Sequence, residues 1–148
     1  MPTPFESGLL NLKLFELRRE PVLREARAWV SREFNPETFQ ELVALISGEH
    51  NAACRMVFGY WDMAASLVTT GAIDAEAFRA AHGEINGAFA KVYPFLAELR
   101  TAMNIPDFLK HMEAVVMGAP NADATMARLV DGVKAAAQAR RAAAVVTT

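Results

Sequence analysis

The sequence contains one cysteine, and this scarcity limits both its covalent chemistry and its cellular compartment. The lone thiol, Cys54, cannot form an intramolecular disulfide, and it lies within an apolar segment. A buried free cysteine of this kind is typical of proteins in reducing compartments. The N-terminal residues carry Glu6 ahead of their leucines and lack the basic run that a secretory signal needs. We therefore expect a cytoplasmic protein.

The chain also lacks an excess of charge of either sign. Its 15 Lys and Arg residues against 17 Asp and Glu residues give a net charge of −2. The densest basic group is interleaved with glutamates, which is typical of a solvated helix face with i,i+3 and i,i+4 ion pairs. Because nucleic-acid binders usually carry a basic patch, we expect no nucleic-acid partner.

No uninterrupted hydrophobic run of membrane-spanning length is present. The nearest candidate, residues 52–73, has Asp62 near its centre. A carboxylate at that depth costs about 2.5–3.5 kcal/mol even on a lenient insertion scale, and the surrounding alanines, glycines and threonines offset little of this cost. We therefore expect no membrane-spanning segment and no membrane partner.

Motifs that hold metals, phosphates or nucleophiles are missing as well. The sequence has no His-Glu-x-x-His motif, no cysteine pair, no glycine-rich phosphate loop and no Gly-x-Ser-x-Gly elbow. His50 and Cys54 lie four residues apart, but two ligands without further partners make a poor metal site. The Glu-x-x-His pattern of di-iron bundles is absent at all three histidines, His50, His82 and His111. We predict no metal, no cofactor and no catalytic residue.

The sequence is rich in apolar residues, and they lie in segments that are predicted to be helical. Hydrophobic residues make up 53% of the chain, and the segment from Asn51 to Thr70 is apolar on nearly every side when it is read as a helix. Such a helix belongs in a protein interior, surrounded by other helices. A chain of this length forms one domain. We predict an all-α domain over residues 1–148, with about six helices around this central helix and a frayed tail at 142–148.

The main partner of the central helix is predicted to be one long helix over residues 75–104. Apolar residues recur along it in steps of four and three, which is the spacing of a helix that packs along another at a shallow angle. Pro94 lies inside this run and should kink the helix, because proline removes a donor and clashes with the carbonyl of Ala90. Pro106 and Asp107 are predicted to open the next helix.

A narrow polar stripe on the central helix is the best-defined candidate site. Arg55, Gly59, Asp62 and Ser66 fall four, three and four residues apart and share one face of a helix. The stripe could face solvent, form an internal network between Asp62 and an arginine, or line a pocket or partner groove. The candidate arginines are Arg27 and Arg100. Trp61, beside Asp62, is included in the candidate binding stripe because aromatic and charged groups are common at recognition surfaces.

Three further residues are secondary candidates: His82, Tyr93 and Arg100. His82 interrupts the apolar seam of the predicted long helix. A buried imidazole can serve as a general base or a pH-sensitive group, but it is more often simply hydrogen-bonded at the edge of a core. Tyr93 and Arg100 follow on the same predicted helix, where they could approach the stripe.

The segment from Asn51 to Met112 resembles a known family. The resemblance rests on the helix AACRMVFGYWDMAASLVTTG, the turn Gly71-x-Ile73-Asp74 and the later positions Tyr93-Pro94-Phe95-Leu96, Leu99-Arg100, Pro106 and Phe108. It extends weakly to Glu20-Pro21 and Ala26-Arg27, and it covers about half of the chain. The family is an uncharacterised, mostly bacterial group of small all-helical proteins classed as a domain of unknown function. The resemblance implies an all-helical fold and assigns no catalytic residue.

Two functions follow from these observations as hypotheses. The first is a non-catalytic helical interaction module that self-associates as a homo-oligomer and could bind another protein. It is favoured by the high apolar content and by the missing catalytic motifs. The alternative is a small-molecule-binding protein or an enzyme with a pocket beside the central helix, because helical bundles can house ligands between their helices.

Overall fold

A computed structural model describes residues 1–147 of the chain. Within these residues the chain forms nine α-helices, one 3-10 turn and no β-strand, so the predicted all-α fold is confirmed. The elements are, in chain order, α1 (Pro4–Leu17), α2 (Pro21–Glu33), α3 (Phe39–Ser47), α4 (Asn51–Thr69), α5 (Ala75–Ala81), α6 (Glu84–Ala90), the 3-10 turn (Tyr93–Phe95), α7 (Leu96–Met103), α8 (Lys110–Met117) and α9 (Ala122–Val146).

Side chains just ahead of the helices explain where several of them begin. At α1, the Thr3 hydroxyl accepts a hydrogen bond from the Glu6 N–H at 3.2 Å, and the Glu6 carboxylate accepts one from the Thr3 N–H at 2.8 Å. This is a capping box, which satisfies two N–H groups reciprocally. At α5, Asp74 accepts a hydrogen bond from the Ala77 N–H at 2.9 Å.

The helix α4 lies at the centre of the fold, and its main partners differ from the prediction. It packs mostly against α8 and α2, and less extensively against α3. Trp61, Ala64 and Ala65 of α4 are fully buried. The stretch over residues 75–104 was expected to be the main partner, but its middle helix α6 packs instead on α9 and α8.

The predicted single kinked helix over residues 75–104 is wrong. The structure divides this stretch into α5, α6, the 3-10 turn and α7. His82 ends α5 in a non-helical conformation, and Pro94 in the 3-10 turn has no N–H with which to continue an α-helix. The apolar spacing still predicted burial, because each short helix turns its own apolar residues inward: Phe78, Ile85, Phe89, Leu96 and Leu99 are all buried.

The helix α8 begins later than predicted. Pro106 and Asp107 lie in a loop, which we call the 104–109 loop, and the helix begins at Lys110. Asn104 and Leu109 bound this loop with left-handed backbone conformations, at φ of 54° and 57°. A left-handed residue interrupts a right-handed helix, so the chain leaves α7 and enters α8 at these two positions.

The long helix α9 is tied to the start of the fold by ion pairs. Arg140 pairs with Glu33 at the end of α2, and Arg141 pairs with Glu37 just after it. The predicted frayed tail, 142–148, is helical as far as Val146, and Thr148 lies outside the described residues, so its fraying stays a prediction.

The helices of residues 1–147 include none that is both long and apolar enough to cross a membrane.

Candidate functional site

An open cavity of about 840 Å³ lies beside the central helix. It is bounded by α4, α7 and the 104–109 loop, and all four residues of the polar stripe line it: Arg55, Gly59, Asp62 and Ser66. The remaining wall is largely apolar and includes Phe58, Met63, Leu99, Met103, Phe108 and Leu109. The stripe thus lies along an open cavity, with Arg55 and Gly59 exposed to solvent and Asp62 and Ser66 half-buried.

Within the cavity wall, Asp62 caps the neighbouring helix α8. Its Oδ1 accepts a hydrogen bond from the backbone N–H of Met112 at 2.9 Å. Met112 is the third residue of α8, and α8 has no side-chain cap of its own. The first N–H groups of a helix lack internal partners and carry partial positive charge, so a carboxylate stabilises them. Asp62 therefore joins the two most closely packed helices of the fold.

Neither candidate arginine pairs with Asp62. Arg27 binds Glu84, with 2.8 Å between Nε and Oε1, and this hydrogen bond raises the pKa of Arg27 above its usual range. Arg100 donates from Nε to the Phe108 carbonyl at 2.9 Å and pairs with Glu113 at 3.2 Å. Arg100 does not line the cavity, but it holds the 104–109 loop that forms one wall.

Replacing Asp62 by alanine should lower the free energy of unfolding by about 1–2 kcal/mol, because the Met112 N–H loses its acceptor. Asp62→Asn should cost less, since the amide keeps an oxygen that can accept the same bond. Urea unfolding followed by circular dichroism measures both changes. Asp131→Ala, at an exposed carboxylate of α9, is the control. An Asp62→Ala variant as stable as this control would contradict the capping role.

Most of the other polar side chains at the cavity have partners within the fold. The Asn51 amide donates to the Ile46 carbonyl at 2.6 Å, and the Ser66 hydroxyl donates to the Met63 carbonyl at 2.6 Å. His111 shares a 2.6 Å hydrogen bond with Thr69, and Asp107 pairs with Lys110 at 3.2 Å. Across residues 1–147, Arg55 has neither a hydrogen bond nor an ion pair. Arg55, an exposed residue, is thus the charged residue of the cavity wall whose side chain has no partner in residues 1–147.

The structure places Trp61 in the core and not on the cavity wall. Its side chain is fully buried, and its ring lies 5.0 Å from Tyr60 and 5.9 Å from His82, measured between centroids. In the described part of the chain, no acceptor reaches its indole N–H. Trp61 therefore supports the fold beneath the stripe.

The secondary candidates His82 and Tyr93 also lie away from the cavity. His82 is buried, with its Nε2 3.0 Å from Oδ1 of Asn11 on α1. Burial lowers the pKa of His82 to about 4, so the imidazole is neutral at physiological pH. Tyr93 is exposed and packs its ring 5.5 Å from Phe89. The structure does not bring these two residues together with the stripe.

Sequence reasoning missed the wall opposite the stripe. Leu99 and Met103, four residues apart on α7, and Phe108 and Leu109 in the 104–109 loop supply this wall. The i,i+4 spacing of the α7 pair marked an apolar face, but nothing local showed which helix it would oppose. Cys54 also lines the cavity, and burial raises the pKa of its thiol to about 11, so the thiol stays protonated.

A second unusual surface is the outer face of α1. Phe5, Leu9 and Leu12 lie there in steps of four and three, with 74%, 53% and 69% of their surface exposed. We call these three residues the α1 stripe. The opposite side of α1 is held to the body of the fold: Ser7 and Leu14 are buried, and the Ser7 hydroxyl accepts from the Asp74 N–H at 3.1 Å. Two faces of α1 are therefore apolar, and only one is covered.

The fold and the cavity define a small all-α domain built around a buried helix with a ligand-sized cavity at its side. The chain belongs to a family described as a domain of unknown function (DUF4760), whose model matches residues 5–118, about 80% of the chain. The match runs from α1 through α8 and includes every residue of the cavity. The family resemblance predicted for about half of the chain is confirmed over this longer range. Searches of curated proteins and of solved structures find no match.

Proposed function

We propose that this protein is a non-catalytic helical interaction module that associates with a second copy of itself through the α1 stripe. The observation that carries the proposal is the exposure of three large apolar side chains on one face of a well-capped helix. Contiguous exposed apolar surface on a small domain usually marks an interaction site. The i, i+4, i+7 spacing of the stripe is the pattern by which one helix packs along another.

Charged residues beside the α1 stripe favour pairing with a second copy of the chain in antiparallel orientation. Phe5 and Leu12 occupy equivalent positions of a heptad, and Glu6 and Lys13 follow them directly. In an antiparallel pair of helices, these flanking positions face their counterparts on the partner. Glu6 of each copy then lies close to Lys13 of the other. In a parallel pair Lys13 would face Gly8 and Glu6 would face Met1, so neither would meet an opposite charge.

The charge of α1 also argues for a protein partner over a membrane surface. Helices that lie on membranes are usually rich in Lys and Arg on their polar face. Within Pro4–Leu17, Lys13 is the one basic residue, and it is outnumbered by Glu6 and Glu16. A helix of 14 residues is about 21 Å long, so its pairing buries less than a typical specific interface. We therefore expect a weak dimer that dissociates on dilution.

Light scattering over a range of protein concentrations tests the proposal. The wild type should shift from monomer towards dimer as the concentration rises, and Leu9→Glu should stay monomeric because a buried carboxylate would lack a partner. Val43→Glu, at an exposed apolar residue of α3, is the matched control and should dimerise like the wild type. Lys13→Glu should weaken the dimer, because it places a carboxylate close to Glu6 of the other copy.

Two outcomes would overturn the proposal. A wild type that stays monomeric at every concentration would exclude self-association, and equal behaviour of Leu9→Glu and Val43→Glu would exclude the α1 stripe. Flotation with vesicles of phosphatidylcholine and phosphatidylglycerol distinguishes the membrane alternative. If a monomeric wild type binds the vesicles and Leu9→Glu does not, α1 is a membrane contact and the self-association proposal fails.

A further inference from the structure

We propose that the cavity beside α4 binds a small molecule with an apolar body and a single anionic group, and that Arg55 binds the anionic group. This site is separate from the α1 stripe, so the inference does not depend on self-association. It rests on the composition of the cavity wall, on the unpaired guanidinium of Arg55 and on the other charges nearby.

The apolar wall selects the body of the ligand. Phe58 and Leu109 are buried at the cavity, and Met63 and Met103 line it with their flexible thioethers exposed. An apolar group that enters this space leaves water and contacts both aromatic and aliphatic side chains. Methionine side chains adapt to irregular shapes, so the wall suits a flexible hydrocarbon chain or a ring.

The polar side chains of the cavity wall determine which head group a ligand can have. Asp62, Asn51, Ser66 and His111 are each hydrogen-bonded within the protein. Arg55 is the charged residue of the wall that the fold leaves without a partner in residues 1–147. A guanidinium presents two parallel N–H groups that match a carboxylate, and this charge-assisted pairing is stronger than a neutral hydrogen bond.

Two carboxylates limit the ligand to one negative charge. Asp62 has no cationic partner in the part of the chain that the structure describes, and Asp107, which pairs with Lys110, lines the cavity from the 104–109 loop. A second anionic group along the cavity would be repelled by these carboxylates, most strongly by the half-buried Asp62, whose charge no cation in residues 1–147 neutralises. From Arg55 to Ser66 the cavity follows α4 for about 16 Å, at the rise of an α-helix. A monocarboxylate with a medium-length hydrocarbon chain matches both the charge and the length.

Isothermal titration calorimetry with three ligands of equal chain length tests the charge requirement. The probes are decanoate, the uncharged 1-decanol and the dicarboxylate sebacate. Decanoate should bind with one site per chain, and it should bind at least about tenfold more tightly than either of the others. Saturable binding of decanoate is required, so its absence overturns the proposal, as does equal affinity for decanoate and decanol.

Two variants separate the head group from the body of the ligand. Arg55→Gln should weaken decanoate binding about tenfold and leave decanol binding unchanged, because only the anionic contact is lost. Arg24→Gln, at an exposed arginine of α2 outside the cavity, is the matched control and should bind decanoate as the wild type does. Loss of both ligands in Arg55→Gln, or no change in either, would contradict the role given to Arg55.

A third variant tests whether the cavity is the site. A Cβ built on Gly59 meets no heavy atom within 4 Å, so Gly59→Leu can project its side chain into the cavity without displacing the backbone. Leucine also favours the helix more than glycine does, so the variant should fold. Gly59→Leu should lose decanoate and decanol together, at unchanged or higher thermal stability. Undiminished binding in this variant would place the ligand elsewhere and overturn the proposal.

Discussion

Replacing Trp61 by alanine should lower the free energy of unfolding by about 3–5 kcal/mol, the largest effect expected of any single substitution discussed in this protein. The indole is fully buried on α4, the helix around which the others pack, and it contacts Tyr60 and His82. Its removal leaves a space that α4 cannot close without moving against its neighbours. Chemical unfolding followed by circular dichroism measures the change.

Two conservative variants show whether the loss comes from packing. Trp61→Phe should cost much less than Trp61→Ala, because phenylalanine keeps an aromatic ring and removes an indole N–H that has no acceptor in residues 1–147. Trp29→Phe, at the other tryptophan of the chain, should be milder still because Trp29 is partly exposed. In Trp29→Phe the remaining indole should resist quenching by acrylamide. Ready quenching there, or a Trp61→Ala loss below about 1 kcal/mol, would show that Trp61 is not a core residue.

The contrast between Trp61 and the polar stripe shows what helical spacing predicts well. Each residue of an α-helix turns the side chain by about 100°, so Trp61 cannot share a face with its neighbour Asp62. It shares one with Cys54, Phe58 and Ala65, all buried. The spacing of Arg55 and Ser66 was sufficient to place them on one face of α4. Trp61 was grouped with them because it is adjacent to Asp62 in the chain, and that grouping did not take the turn of about 100° into account. Adjacency along the chain was the weaker signal.

Local spacing predicted which residues are buried more reliably than where helices end. The apolar repeat over residues 75–104 continued through Gly83 and Pro94, and this continuity favoured one helix. The structure breaks the chain at both places and keeps the apolar residues inward, except for Met103 at the end of α7, which is exposed. A hydrophobic repeat shows which side chains face the core. If a turn between two helices leaves their apolar faces pointing towards the same core, the repeat continues through the turn and does not reveal it.

The contacts of Asp62 could not be predicted from the sequence. Its partner, the Met112 N–H, lies 50 residues away and is a backbone group, which has no residue type to recognise. The opposite cavity wall depends on the left-handed conformations of Asn104 and Leu109. Asparagine adopts this conformation often, whereas leucine rarely does. Of the two positions, only Asn104 therefore has a residue type that favours the left-handed conformation.

The burial of the charged residue Lys91 could not be predicted from the sequence either. Lysine is usually exposed, and no neighbouring residue in the sequence marks Lys91 as a buried one. In the structure it is buried just after α6, and its ammonium donates to the carbonyls of Val30 and Ser31 at 2.7 and 2.9 Å and to Oδ1 of Asn35 at 3.0 Å. These groups lie at the end of α2, where carbonyls lack helical partners and carry partial negative charge. Lys91 thus joins α2 to α6 through all three of its donors.

Replacing Lys91 by methionine should lower the free energy of unfolding by about 2–3 kcal/mol at pH 7. Methionine has a similar length and no donor, so it leaves up to three acceptors at the end of α2 unsatisfied. The cost is partly offset because the buried ammonium no longer has to be desolvated. Urea unfolding at pH 7 measures the change. Lys134→Met, at an exposed lysine of α9, is the matched control and should change stability by less than about 0.5 kcal/mol.

The destabilisation by Lys91→Met should also grow with pH above neutrality. Burial lowers the pKa of Lys91 to about 8 from its usual 10.5, with a smaller effect from nearby Arg140. Between these two values the unfolded chain binds a proton that the native protein has released, so the Lys91 contribution to stability rises with pH. One proton sets an upper slope of about 1.4 kcal/mol per pH unit. The free energies of unfolding of the wild type and Lys91→Met should therefore differ by a constant amount below pH 8 and increasingly between pH 8 and 10.5.

Because Tyr60 and Cys54 titrate alike in both proteins, their effects cancel in this difference. A difference that stays flat or narrows across this window would show that the native Lys91 is protonated throughout it.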